Sequence, residues 1–144
     1  MKVGGVMEIF DSTKRSLFEI LKDVHSGKIQ LPDFQRGWIW DDNRIKGILA
    51  SVAKSFPIGA VMLLETGNEN VKFKTKPVEG VKLDNEVNPD LLILDGQQRI
   101  TSLYQTIVTN EIVTTRNEKN YKIKRWYYID MVKAMDGNYD LEEA

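Results

Sequence analysis

The sequence contains no cysteine and a single histidine, and its 20 basic side chains are almost cancelled by 21 acidic ones. Without cysteine, disulfides, thiolate metal centres and cysteine nucleophiles are excluded, and the composition fits a cytoplasmic protein. One histidine excludes a metal or nuclease centre built from several histidines of this chain. That residue, His25, stands just before Ser26-Gly27 at the end of an expected helix, a position suited to a cation or a capping donor. No functional role is assigned to it. The net charge of −1 provides no global pull towards nucleic acid or membrane, so such binding would need a local patch. No apolar run approaches the length of a membrane span, and the first seven residues lack the apolar stretch of a signal peptide.

What is present is the balance of one folded domain: 144 residues, 42% hydrophobic and 28% charged. The most informative stretch is residues 91–104. Leu91-Leu92-Ile93-Leu94 reads as a buried strand, Asp95-Gly96 as a sharp turn, and a helix follows over 97–109. Its apolar positions, Ile100, Leu103, Tyr104, Ile107 and Val108, recur at the spacing of one buried helical face. Asp95, Gln97, Gln98 and Arg99 are thereby fixed where a strand ends and a helix begins, a place whose free N–H groups favour an anion.

Along the rest of the chain, residues 1–11 read as an arm, and Asp11-Ser12 as the cap of a helix facing inward with Leu17, Ile20, Leu21 and Val24. Ile29 to Leu31, interrupted by Pro32, suggests an edge strand running into a loop. Asp41-Asp42 opens a second helix with Ile45, Ile48, Leu49 and Val52 inward, ending before Pro57. Residues 60–65 suit a central strand, and 71–76 alternate so that Lys72, Lys74 and Lys76 point to solvent. Residues 77–90 are turn-rich, 120–130 form a basic and aromatic strand, and 131–144 are a tail that suggests the start of a longer protein. Strands and helices alternate unevenly, which predicts a compact α+β domain with a small mixed sheet.

Two motifs stand together: Leu31-Pro-Asp-Phe-Gln-Arg-Gly-Trp-Ile-Trp40 and Leu94-Asp-Gly-Gln-Gln-Arg-Ile-Thr-Ser-Leu103. Their order, spacing and wording resemble the N-terminal domain of GmrSD-type, modification-dependent restriction endonucleases, within the ParB/sulfiredoxin-like superfamily. The resemblance covers residues 12–130, with Trp38 where the family often has tyrosine. It implies a ParB/sulfiredoxin-like fold of a small mixed sheet flanked by helices, with a nucleotide site at the strand–turn–helix. It further implies nucleoside triphosphate hydrolysis, GTP or another, and sensing of modified DNA in phage defence. Cutting would fall to a separate C-terminal HNH-type nuclease domain or a partner subunit, and cleavage by this chain alone is not expected.

In that reading Asp95, Gln97, Gln98 and Arg99 are the catalytic candidates. Gly96 lets backbone approach a phosphate, Arg99 offers a planar charged fork, and the glutamines could orient water, sugar or base. Asp95 would hold Mg²⁺, which needs few carboxylates when phosphates supply the remaining oxygens. Gln35 and Arg36 would complete the phosphate site from the opposite side, with Thr101 a weaker candidate. Structural alternatives stand beside each. Asp95 could cap the helix and pair with Arg99 four residues on, and Arg36 could stack on Trp38 or Trp40. Phe34, Trp38 and Trp40 read as core or loop anchors. Lys122, Lys124 and Arg125 could follow a DNA backbone or simply solvate a hairpin. The competing function is a non-catalytic DNA-binding or partner-docking module of the same fold.

Overall fold

The computed structural model describes residues 13–67 and 74–144. The expected arm over 1–11 and the first part of the expected strand over 71–76 lie outside the described residues. Helix α1, Leu17–His25, begins one residue after Ser16, not at Asp11-Ser12. Ser16 Oγ accepts from the Glu19 amide at 3.2 Å while Glu19 Oε2 accepts from the Ser16 amide at 3.1 Å, a reciprocal cap that satisfies two first-turn donors. Leu21 and Val24 are its buried residues. His25 does not cap the helix end: its Nδ1 lies 2.9 Å from the Tyr104 hydroxyl, tying α1 to a distant helix.

Strand β1, Ile29–Pro32, is buried along its whole length. Helix α2, Asp42–Ala53, starts at Asp41, whose carboxylate accepts from the Arg44 amide. Strand β2 is Met62–Glu65, β3 is Thr75–Lys76 and β4 is Leu91–Asp95. They form one sheet in the order β2-β4-β1-β3, with β1 and β4 parallel and the outer pairs antiparallel. The α+β expectation with a small mixed sheet therefore holds, but two strands exchange roles. β1 is central, whereas β2 is an edge strand. Pro32 is tolerated because the parallel pairs with β4 involve only Ile29 and Gln30, and from Leu31 onward the pairing is with β3.

Helix α3, Gln97–Leu103, packs Ile100 and Leu103 into the core with Ile29, Leu31, Ile48, Val78 and Ile93. The expected helix to residue 109 widens after Leu103 into a π-helical turn, Tyr104–Val108. Thr106 and Thr109 hydroxyls bond back to the carbonyls of Ser102 and Gln105, an alternative that loosens regular helix in a β-branched run. Strand β5, Val113–Arg116, which the sequence pattern did not mark, pairs with β6, Lys122–Arg125, as a separate hairpin. The expected strand over 120–130 is thus short, and the chain goes on to helix α4, Met131–Met135, and a return in which Lys54 pairs with Asp140 at 2.8 Å.

Burying an Ile or Leu side chain is worth roughly 1.5–3 kcal/mol, against about 0.5–1.5 kcal/mol for a net hydrogen bond. Ile93, Ile100 and Leu103, all fully buried, therefore fix where the β4–α3 corner sits. Hydrogen bonds then decide the path of the loop laid over it.

Candidate functional site

The loop after β1 and the β4–α3 corner are joined by side-chain hydrogen bonds between residues 58 to 64 positions apart in sequence. Gln35 Nε2 donates to the Leu94 carbonyl at 3.1 Å, and more weakly to that of Ile93. Gln97 Nε2 donates to the Arg36 carbonyl at 2.6 Å. Gln98 donates to the Gly37 carbonyl and accepts from the Ile39 amide at 2.9 Å. Trp38 Nε1 donates to Ser102 Oγ at 2.9 Å. Three glutamines and an indole thus join the two motifs, and both ends of the Gln98 amide are used in doing so. Gln97 and Gln98 stand at the site as its scaffold.

Between the motifs lies a cavity of about 250 Å³, lined by Gln35, Arg36 and Trp40 on one side and by residues 94–99 on the other. Asp95 ends β4 with its side chain 74% exposed, 3.6 Å from Arg99 Nη2. It is not the helix cap. That position is Gly96, at φ +91°, where a Cβ would press on Val61 and on the Arg99 guanidinium. Of the two structural alternatives for Asp95, the i,i+4 pairing with Arg99 is realised and the cap is not.

Arg99 is committed elsewhere as well. Nη1 donates to the Ile58 carbonyl at 2.6 Å and Nη2 to the Ala60 carbonyl at 2.8 Å. Arg36 is exposed, lines the cavity, and among the described residues its side chain has no hydrogen bond, ion pair or cation–π contact. Stacking on Trp38 or Trp40 is therefore not its role. Thr101 is fully buried, does not line the cavity and falls on the core-facing side of α3 beside Ile100.

Trp38 and Trp40 act as anchors, the first through Ser102 and the second packed against the core, but Phe34 is 69% exposed. The basic triad is divided by strand alternation. Lys122 and Lys124 lie on the solvent face of the hairpin, opposite Arg116 and Thr114. Arg125 shares the other face with Val113 and approaches Asp42 at 3.9 Å. None of the three lines the cavity. The hairpin reaches the site indirectly, Thr115 Oγ1 donating to the Trp40 carbonyl at 2.7 Å.

Several supporting residues were not anticipated. Lys76 does not point idly to solvent: its Nζ donates to the carbonyls of Asp33 and Gln35, left over where β1 gives way to the loop. Glu79 accepts from the Trp38 amide at 3.0 Å, and Ile58, Gly59 and Ala60 receive Arg99. Most of these contacts are to backbone atoms, which leave no residue-type signal. Among the described residues no group of three or more His, Asp or Glu side chains could hold a metal by protein ligands alone. Among the described residues Asp95 is the one carboxylate lining the cavity, which suits a Mg²⁺ ion held largely by phosphate oxygens. No helix among the described residues is long and apolar enough to cross a membrane.

A family model described as the N-terminal domain of GmrSD restriction endonuclease matches residues 17–143. A relative from Methanocaldococcus jannaschii, described as an uncharacterized protein, is 31% identical over 141 residues. That alignment takes in 93% of this chain and 23% of the relative, so the chain spans about a quarter of the relative's length. No solved structure matches.

Proposed function

The chain belongs to the family of GmrSD restriction endonuclease N-terminal domains, and from that premise we propose that it binds a nucleoside triphosphate with Mg²⁺ in the cavity between its two motifs. The observation carrying this reading is the juxtaposition itself. Segments 31–40 and 94–103 are cross-linked by side-chain hydrogen bonds around one cavity that exposes, among the described residues, an unpaired guanidinium, Arg36, and a single carboxylate, Asp95. A cavity of about 250 Å³ is smaller than the roughly 300–1,000 Å³ of sites that enclose a whole drug-sized ligand. It suits the polyphosphate end, with sugar and base lying towards the rim.

In this proposal Mg²⁺ would neutralise phosphate charge, and Asp95 is the residue that would hold it. Gln35, Gln97 and Gln98 keep the two walls in register, while the exposed Asp95 and Arg36 meet the ligand. Hydrolysis and a ParB/sulfiredoxin-like fold assignment are part of the same proposal. So is a regulatory role in restriction of modified DNA, the cutting being done by an HNH-type nuclease domain or a partner subunit. Titration of the purified chain with GTP, ATP, CTP and UTP in Mg²⁺ by calorimetry tests it. One saturable site, weakened in Asp95→Asn through loss of its Mg²⁺ dependence, is the expected result; a folded protein that binds none of the four overturns it.

A second reading, a non-catalytic DNA-binding module, is favoured by one observation: Lys122 and Lys124 share the solvent face of a hairpin with Arg116. Duplex binding that weakens steeply with salt, and whose salt slope falls by about 2 in Lys122→Ala/Lys124→Ala, would support it.

A further inference from the structure

We infer that the two arginines of the motifs have separate duties: Arg36 takes the anion, and Arg99 is a positioning residue that clasps the 58–60 segment against the β4–α3 corner. The inference rests on the nucleotide reading and deepens it. Both arginines line the cavity, and the residue pattern alone favours Arg99, which sits in the turn. The geometry points the other way.

Arg99 spends its two terminal nitrogens on the carbonyls of Ile58 and Ala60, and Asp95 lies 3.6 Å from Nη2. Its side chain is only 22% exposed. Gly59, between the two accepting residues, sits at φ +91° directly against the guanidinium. A Cβ there would collide with Nη1 and stand 3.2 Å from Cζ. The backbone at 59 has thus been brought close enough to the guanidinium that only glycine fits. For Arg99 to take a phosphate it would have to give up both carbonyl bonds, the one to Ile58 part-buried and the one to Ala60 exposed, and losing the first opposes the exchange. It also has a carboxylate beside it, which lowers the field an anion would meet.

Arg36 has none of these commitments. Its backbone carbonyl is held by Gln97, so the start of the side chain is fixed, while the guanidinium itself is unpartnered among the described residues. A permanently charged fork on a pinned backbone, free of a competing carboxylate, is the arrangement that binds phosphate oxygens in pairs. The loop supplies the charge and the helix supplies the frame.

The test has two arms. In the first, wild type, Arg36→Ala and Arg36→Lys are titrated with Mg²⁺-nucleotide and with inorganic tripolyphosphate. Arg36→Ala should lose about tenfold or more in affinity for both, and Arg36→Lys should recover part of it, since lysine keeps the charge but not the fork. Unchanged affinity in Arg36→Ala overturns the assignment. In the second, thermal melts are recorded without ligand. Arg99→Ala, Arg99→Lys and Gly59→Ala should each lower Tm by roughly 5 °C or more, and the Arg99→Ala/Gly59→Ala pair should be clearly less than additive, because both break one clasp. Arg36→Ala should leave Tm unchanged. Additive losses, or an Arg99→Ala protein as stable as wild type, overturn the clasp. A folded wild type that binds neither probe overturns the nucleotide reading and the Arg36 role with it, while the melts still decide the role of Arg99.

Discussion

The indole of Trp38 donates to Ser102 Oγ at 2.9 Å, and that hydroxyl in turn donates to the Gln98 carbonyl at 2.8 Å. A loop residue and a helix residue 64 positions apart are thus joined through a group that also closes a bond within α3. The cavity wall on the loop side is held to the helix at this point.

Trp38→Phe should therefore destabilise the domain by about 1–3 kcal/mol, since it leaves the buried Ser102 hydroxyl short of a donor and vacates volume. Ser102→Ala should cost less, and the double variant less than the sum. Urea unfolding of the four proteins measures this; full additivity would show that the bond contributes nothing.

Gln98→Ala removes both bonds to the backbone of residues 37–39. The Ile39 amide, which donates to Gln98 Oε1, should exchange with solvent at least tenfold faster while amides of Leu92 and Ile93 keep their protection. Equal acceleration in the strand would mean global destabilisation, and none at Ile39 would mean the loop is held by other contacts.

Below about pH 5, stability should fall in part through the cap of α1. The Ser16 backbone and side-chain hydrogen bonds hold the Glu19 carboxyl below its usual range. A carboxyl depressed in the folded state adds stability above its unfolded pKa, and that contribution is lost as pH falls through the folded value. Tm of Glu19→Gln should accordingly vary less than wild type between about pH 5 and pH 3. Parallel curves would remove Glu19 from the acid response.

At high pH, the phenols of Tyr127 and Tyr104 should resist ionisation. Burial, together with a hydrogen bond to Asp42 at 2.8 Å, pushes the Tyr127 phenol well above the ordinary value, and burial raises Tyr104 also. A raised phenol adds stability that is fully present below the unfolded pKa near 10 and is lost as pH rises through the folded value. Near-ultraviolet titration of the folded protein should leave Tyr127 and Tyr104 un-ionised until the protein unfolds. Their ionisation before any loss of helix signal would refute it.

The sequence by itself determined the elements that local chemistry dictates. A run of four aliphatics ending in Asp95-Gly96, followed by apolar residues at helical spacing, can hardly be anything but strand, turn and helix, and Asp41 is an N-cap in any context. That polar side chains gather at residues 95–99 was legible for the same reason, because strand, turn and helix fix them at a sharp corner. What only the tertiary structure decided is the order of the strands and the duties of the side chains. Neither β1 nor β2 announces whether it is central, since that depends on which neighbours bury it. Pro32 looked like an edge signal although it falls two residues beyond the last parallel pair, at Gln30. Arg36 and Arg99 are indistinguishable as residue types. Among the described residues one is free and the other bound because the carbonyls of Ile58 and Ala60 lie under Arg99, and a backbone carbonyl is carried by every residue and marked by none.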